Sequence, residues 1–444
     1  MLSRERSRRL AEAALRASKA DETEVVVEQC EQELNRFTAD HPVQNLVRML
    51  SRVSVRVRVD GHEGKASTGT ATEDAVRRTV ERAAAVARMA PRAPGEMLPM
   101  AGPQQYVLRD REPVAPDPMA TARSVAAMTG RARGEGCRAA GIQSAENDLR
   151  LVMNSRGLDV CDLDTRAEIS FTAFRDDGAG WATGIAAHRD GVDEEAIAAR
   201  AVAKTLASQR AVAVPPGHYT VILEPPAVAS LLLFASYKGF GAQQVEEGSS
   251  FLAGKLGEKV LGDGVSIADD CHHALAVGHT FDGEGLPRAT VPLIDRGVAC
   301  GVVHDRATAR RQGCRSTGHA TAQPSASGPL ASNLVLAAAS GTTADLLRGV
   351  DRAILVTQFH YTNMVEPTHL TLTGMTRNGT FLVERGEIAR PVKNMRFTQS
   401  LVEALRNVSA IGADPKLSSA LFGGFTVVPS VRIEGFHFSS GTEF

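Results

Sequence analysis

The sequence has no apolar run long enough to cross a membrane. Its longest, Pro225 to Ala235, is roughly half of the ~20 residues a helical span needs, so no membrane segment is expected. Aromatic residues are scarce, with one Trp and four Tyr among 444 residues, which weighs against a surface that stacks nucleic-acid bases. Neither sign of charge is in excess. Fifty Lys and Arg against 51 Asp and Glu leave a formal net charge of -1, so no global field draws the chain to nucleic acid or to an anionic membrane. There is no Cys-x-x-Cys. The six cysteines (Cys30, Cys137, Cys161, Cys271, Cys300 and Cys314) have no framework spacing, and they read as reduced thiols of a cytoplasmic protein. The basic start, Met1 to Leu10, runs into an Ala-rich helical pattern with no apolar h-region, and is not read as a signal peptide.

What is present is an ordinary globular composition, 43% hydrophobic and 23% charged, in a chain long enough for two or three domains. A helix is predicted near Arg4 to Ser18, and Glu24 to Thr38 alternates as a strand or hairpin. Val53, Val55, Val57 and Val59 alternate with polar residues as a half-buried strand. Asp60 to Gly64 then reads as a turn, with Lys65 to Thr68 as the returning strand and a capping box Thr70-x-x-Glu73 opening a helix. A Pro/Gly-rich linker runs from Pro91 to about Gln105. Beyond it come a helix near Asp117 to Gly130, strands at 138–148 and 149–153, sheet over 160–174 and a helix at 193–208. Pro215-Pro216-Gly217 marks the strongest internal boundary. After it, a strand over 219–224 and a short buried helix over 226–235 lead into many short strands broken by Gly, Pro, Asn and Asp. The expected fold is α+β: residues 1–90 an N-terminal α/β domain, 91–214 a mixed α/β region and 215–444 a β-rich barrel or sandwich with a few helices.

Few residues suggest chemistry. His62-Glu63 lacks the second histidine one turn later that a zinc-binding helix requires, and reads as a solvated turn. Cys271, His272, His273 and His279 form the densest cluster of soft ligands, yet neighbours on an extended chain point apart, so an exposed loop is expected. Phe359 to Val365 is the best functional strip: as a strand it would place His360, Thr362 and Met364 on one face and Tyr361 and Asn363 on the other. Such a strand could contact an extended peptide, or be a core strand whose His360 is hydrogen-bonded within the fold. Arg315 to Ala320 reads as a loop tip whose His319 is either solvated or touches substrate.

The order of several segments carries a resemblance over essentially the whole chain. Asn35-Arg36-Phe37, Asn154-Ser155-Arg156-Gly157, Pro216 to Glu224, Gly248 to Val260, Thr280 to Gly285, Ser316 to Ala320 and Pro429 to Ile433 are similar to landmarks of the TldD/TldE (PmbA) family, also described as modulators of DNA gyrase. In the TldD half of that family a helix carries His-Glu-x-x-x-His, two metal ligands and a catalytic Glu, and a distant C-terminal Cys completes the site. Here those ligand positions fall on Leu232 and Tyr237 and the Glu position on Leu233, and no Cys follows Cys314. The resemblance therefore implies the TldE-like subunit, with no catalytic or metal-binding residue of its own and no cofactor, paired as a heterodimer with a TldD-like homologue that carries zinc. It implies unfolded or small peptides as substrates, and the polar side chains of the strip and loop above, His360, Tyr361, Asn363 and His319, are the expected contacts. Direct nucleic-acid binding is not expected, and a homodimer is open to the isolated chain. The alternatives are a regulatory or binding protein without proteolysis, and a homodimeric peptidase with a metal site built from Cys271, His272, His273 and His279 or from His360 and His369.

Overall fold

Alternation decides the first half of the structure. The computed structural model describes residues 3–39, 41–92, 97–109, 111–419 and 424–442; residues 93–96 of the linker fall outside these. Val25 and Val27 of β1 (Glu22–Ala39) and Val53, Val55 and Val57 of β2 (His41–Val59) are fully buried, because they share one face of paired strands. Helices α1 (Arg4–Ala17) and α2 (Glu73–Met89) cover that face with Leu10, Ala14, Val76 and Val80. Between them, β3 (His62–Thr68) pairs with β2 across a two-residue turn, Asp60-Gly61, in which both residues take positive φ. The helix cap is Thr72, whose hydroxyl accepts from the Ala75 amide, and not the expected Thr70.

Helix α3 (Pro118–Gly134) and helix α4 (Glu194–Ala207) back the other half of the same sheet, which is completed by β4 (Arg138–Asn154), β5 (Asp159–Arg175) and β6 (Gly178–Ala186). The strand order is β3-β2-β1-β4-β5-β6, so segments from both sides of the linker share one sheet through the β1–β4 pairing. The separate strands expected on either side of Asp148 are one unbroken strand. Asn147 is tolerated inside it because its side chain accepts from the Val114 amide and donates to the Val114 carbonyl, which satisfies a group that would otherwise favour a turn.

The second half contains a closed barrel. After β7 (Gly217–Leu223) and α5 (Pro225–Lys238), strand Arg352–Glu366 pairs with β7 on one side and with Thr371–Glu384 on the other. Strands Met395–Ser400 and Val431–Gly441 complete the ring of five. Its interior is filled by Phe359, Phe397, Phe436 and Phe438, with ring centroids 4.5 to 5.9 Å apart along the chain of contacts. A second, six-stranded sheet of short strands lies alongside, running in order through 298–299, 291–295, 267–269, 334–336, 425–428 and 416–419. One continuous apolar core joins the barrel interior, α5 and this sheet. The whole is 24% helix and 41% strand, the α+β class expected.

Helix α2 crosses β3 at Gly64, where a Cβ would stand 2.2 Å from the Ala83 carbonyl oxygen and 2.3 Å from the Ala87 amide nitrogen. Both are backbone atoms, which cannot turn aside. Gly64→Ala should therefore lower stability by about 1–3 kcal/mol. Gly130→Ala, on the exposed side of α3 with open space around it, should be neutral or stabilising by about 0.4–1 kcal/mol. Urea melts of the two variants check the contrast, and equal effects would contradict this packing.

Candidate functional site

Helix α5 begins with Pro225 and Pro226, residues that suit a first turn because their missing amides would have no partner there. From there Ala, Val, Leu and Phe occupy every side of the helix, and Val228, Leu231, Leu232, Leu233 and Ala235 are all buried. It packs between barrel strand Arg352–Glu366 and the strands Lys416–Ser419 and Phe425–Val428 of the second sheet. Leu232, Leu233 and Tyr237, the positions singled out by the resemblance, lie on this helix. Leu232 is 0% and Leu233 5% exposed, and Tyr237, at 45%, lies on the helix's open side. Two methyl-ended side chains have no lone pair to donate, so these residues do not fit a metal ion.

The strip from Phe359 to Val365 departs from plain alternation. Tyr361 takes a φ of 51° and the pairing register shifts between His360 and Asn363, a bulge that rotates the chain by one residue. As a result Thr362 turns inward and is buried next to Gly374, while His360 and Tyr361, adjacent in sequence, meet edge to face at 4.2 Å. His360 thus sides with Tyr361 and not with Thr362. Tyr361 is 63% exposed, and Asn363, also exposed, donates to the Tyr361 carbonyl. The Arg377 guanidinium lies 2.9 Å from His360 Nε2; since Arg can only donate, the imidazole accepts. Burial, with Arg377 beside it, holds the His360 pKa below the ordinary value. His360, Tyr361 and Asn363 are brought together on the outer end of this hairpin.

His319 is elsewhere. It has no exposed surface, with Nε2 2.9 Å from Asp269 Oδ1 and Nδ1 within hydrogen-bond reach of Thr317. The loop tip expected here is a buried clamp, because Asp269 on the second sheet needs a partner once it leaves water. Burial alone would raise the Asp269 carboxyl, but His319, Arg288 and the Asn333 amide outweigh it and hold it below the usual range.

The cysteine–histidine cluster lies on a loop, exposed at His272 and buried at Cys271, and its members do not converge. Cys271 is fully buried, and burial pushes its thiol up to about 11. His272 faces the Arg288 carbonyl. His279 sits between Asp148 and Asp162, 3.8 Å from each, and stacks on Phe281. Burial disfavours its charged form, yet the two carboxylates hold the ring above its ordinary pKa. Among the described residues, no group of three or more His, Cys, Asp or Glu is placed to hold a metal ion.

Sequence reading missed the charged inner face of the first sheet. Arg56 donates to both Glu24 oxygens at 3.0 and 2.8 Å, and Glu63, far from being a solvated turn residue, accepts from Arg56 and Arg58 at 3.2 and 2.8 Å. The signal was available: Glu22, Glu24 and Glu28 occupy even positions of β1 opposite Arg58, Arg56 and Arg52 of β2. Facing this network across the gap, Glu284 lies 3.6 Å from Arg306, and burial together with Asp282 raises its carboxyl to about 7.

Helix α5, which follows β7, and the separate short-stranded sheet set against the five-stranded barrel define the second half of an α+β protein. It belongs to the PmbA/TldA metallopeptidase family: the model of that family's C-terminal domain matches residues 216–440 and the model of its central domain residues 112–209. A Methanothermobacter thermautotrophicus metalloprotease is 26% identical over 283 residues, 61% of each chain. A TldD homologue of Haemophilus influenzae is 29% identical over 223 residues, 50% of this chain and 46% of that one. The chain thus spans about half the length of the curated relatives it matches. TldE from Thermococcus kodakarensis has the same fold, with a TM-score of 0.85 at 21% identity over 97% of this chain and 99% of that one. A Thermotoga maritima protein described as a modulator of a DNA gyrase superposes with a TM-score of 0.84 at 21% identity, over 98% and 99% of the two chains.

Glu284 supplies a pH test. Its folded pKa is raised above the ordinary 4.5, so the folded chain holds a proton that the unfolded chain releases, and this contribution is full below pH 4.5 and lost as pH rises to about 7. Glu284→Gln should remove that part of the decline across the same window. Urea unfolding between those two pH values checks it; parallel pH profiles for the two proteins would contradict it.

Proposed function

We propose that this chain is the metal-free, TldE-like subunit of a heterodimeric peptidase that acts on unfolded or small peptides, and that its partner is a TldD-like homologue carrying zinc. The observation that carries this reading is the burial of Leu232 and Leu233 in the core, at the positions where the TldD pattern has a ligand and a catalytic Glu. A His or ionised Glu in that environment would stand unpaired, at a cost of several kcal/mol. On this reading the chain positions substrate and closes the cleft.

Two surfaces support the roles left to it. The distal half of β2 hydrogen-bonds β1 on one side, and among the described residues no further strand lies on the other side of residues 43–48. Val43, Val47 and Leu50 are exposed there at 56%, 48% and 51%, an apolar edge that suits a partner subunit. His360, Tyr361 and Asn363 form the peptide-contacting strip, with side chains able to donate and accept beside an extended backbone.

Mixing the purified chain with a His-Glu-x-x-x-His homologue from the same genome should give peptidase activity on an unfolded casein-like substrate that the chain alone lacks. His360→Ala in the mixture should raise KM several-fold with little loss of complex. Activity of the chain alone would refute the subunit assignment, and unchanged kinetics with His360→Ala would refute the contact.

A further inference from the structure

We infer that a pocket between the loop 259–264 and strand Val408–Ile411 binds a short peptide, whose C-terminal carboxylate is held by Arg406. The pocket has a volume of about 810 Å3, within the range of roughly 300–1,000 Å3 usual for small-molecule sites. Its walls come from that loop, from that strand and from residues 339–340, which follow strand Leu334–Leu336. Val260 and Leu261, both 2% exposed, and Ile411, 4% exposed, belong to the apolar core and form the apolar part of the lining. Lys259, Asp263 and Arg406 supply its charges.

Two hydrogen bonds fix the lining. Helix Leu401–Arg406 ends at the pocket, where the Gly262 amide donates to the Leu405 carbonyl at 3.1 Å and Arg406 Nε donates to the Val260 carbonyl at 2.8 Å. The approach is close: a Cβ on Gly262 would stand 2.8 Å from the Arg406 carbonyl oxygen, a backbone atom that cannot turn aside. With Nε committed, Nη1 and Nη2 remain, and among the described residues neither has a hydrogen-bond or ion-pair partner. That end of a guanidinium presents two parallel N–H groups, which a carboxylate accepts in bidentate fashion.

The charges select a singly charged ligand. Lys259 and Asp263 form an ion pair whose side chains are 55% and 85% exposed, and so exposed a pair contributes little. Two cations, Lys259 and Arg406, against one carboxylate, Asp263, leave one positive charge. A carboxylate balances it, whereas a phosphate dianion overshoots it and meets Asp263. The apolar lining suits a hydrophobic last residue, and the bare backbone at Gly262 and Gly264 suits a ligand that carries amides of its own. None of the lining comes from α5, so the inference stands independently of the subunit reading above.

Calorimetric titration of the full-length chain with acetylated Ala-Ala-Leu, and with the C-terminal amide of the same peptide, tests the assignment. The free acid should bind at one site, and the amide on the order of tenfold more weakly, because it has one acceptor oxygen and no charge. Arg406→Gln should weaken binding of the acid on the order of tenfold or more. Lys259→Gln, an exposed change, should weaken it several-fold and leave the melting temperature within a degree or so of the parent. Excess inorganic phosphate should not displace the acid. No binding of the acid, equal affinity for acid and amide, displacement by phosphate, or an unchanged isotherm in Arg406→Gln would overturn the assignment. If Arg406→Gln fails to fold, the comparison of acid with amide decides alone.

Discussion

The rest of the molecule depends on the packing of α5. A helix usually keeps one face for the core and another for water or chemistry, but this one is apolar nearly all round and touches the barrel on one side and the second sheet on the other. Each fully buried Leu contributes about 1.5–3 kcal/mol, so Leu231, Leu232 and Leu233 together are worth a large part of a typical domain's net stability. The same burial leaves Leu232 and Leu233 no contact with solvent, and only the end of the helix at Tyr237 is open.

The second constraint is the contact between the charged face of the first sheet and the loops of the barrel half. Buried charges persist best when paired, as Arg56 is with Glu24 and Glu63 and His279 with Asp148 and Asp162. Asp162 also accepts from the amide and hydroxyl of Thr280, and the Tyr106 hydroxyl donates to the Gly285 carbonyl. Around these polar pairs, Phe281 enters an apolar cluster with Val152, Leu158 and Val160 of the sheet half. The halves are held by direction-specific bonds around a small apolar centre, an arrangement that fixes orientation more than it adds stability. Glu284, with a raised pKa at the edge of this contact, makes it sensitive to pH near neutrality.

Much of this was legible because the signals are local. The valines of β2 repeat every second residue, the helices announce themselves with Asp117 and Asp193 as caps, and the Pro215-Pro216-Gly217 break precedes the barrel half. The short buried helix expected over 226–235 is α5, with Leu232 and Leu233 in the core. Failures came where a distant partner overrides a local preference. Asn147 looks like a strand breaker until Val114 satisfies it, and His319 looks like a loop residue until Asp269 buries it. Glu63 looks like a turn residue until two arginines face it. The bulge at Tyr361 regroups His360 with its neighbour, and no periodicity in Phe359 to Val365 foretells it.

The central claim is that the metal of the assembled enzyme belongs to the other chain. Native mass spectrometry of this protein co-expressed with its His-Glu-x-x-x-His homologue, at low micromolar free zinc, measures it directly through the mass of the complex and of each subunit after gentle dissociation. The account predicts a one-to-one complex with one tightly held zinc that leaves with the homologue. A homodimer of this chain that retains its own zinc and cleaves peptide would contradict it.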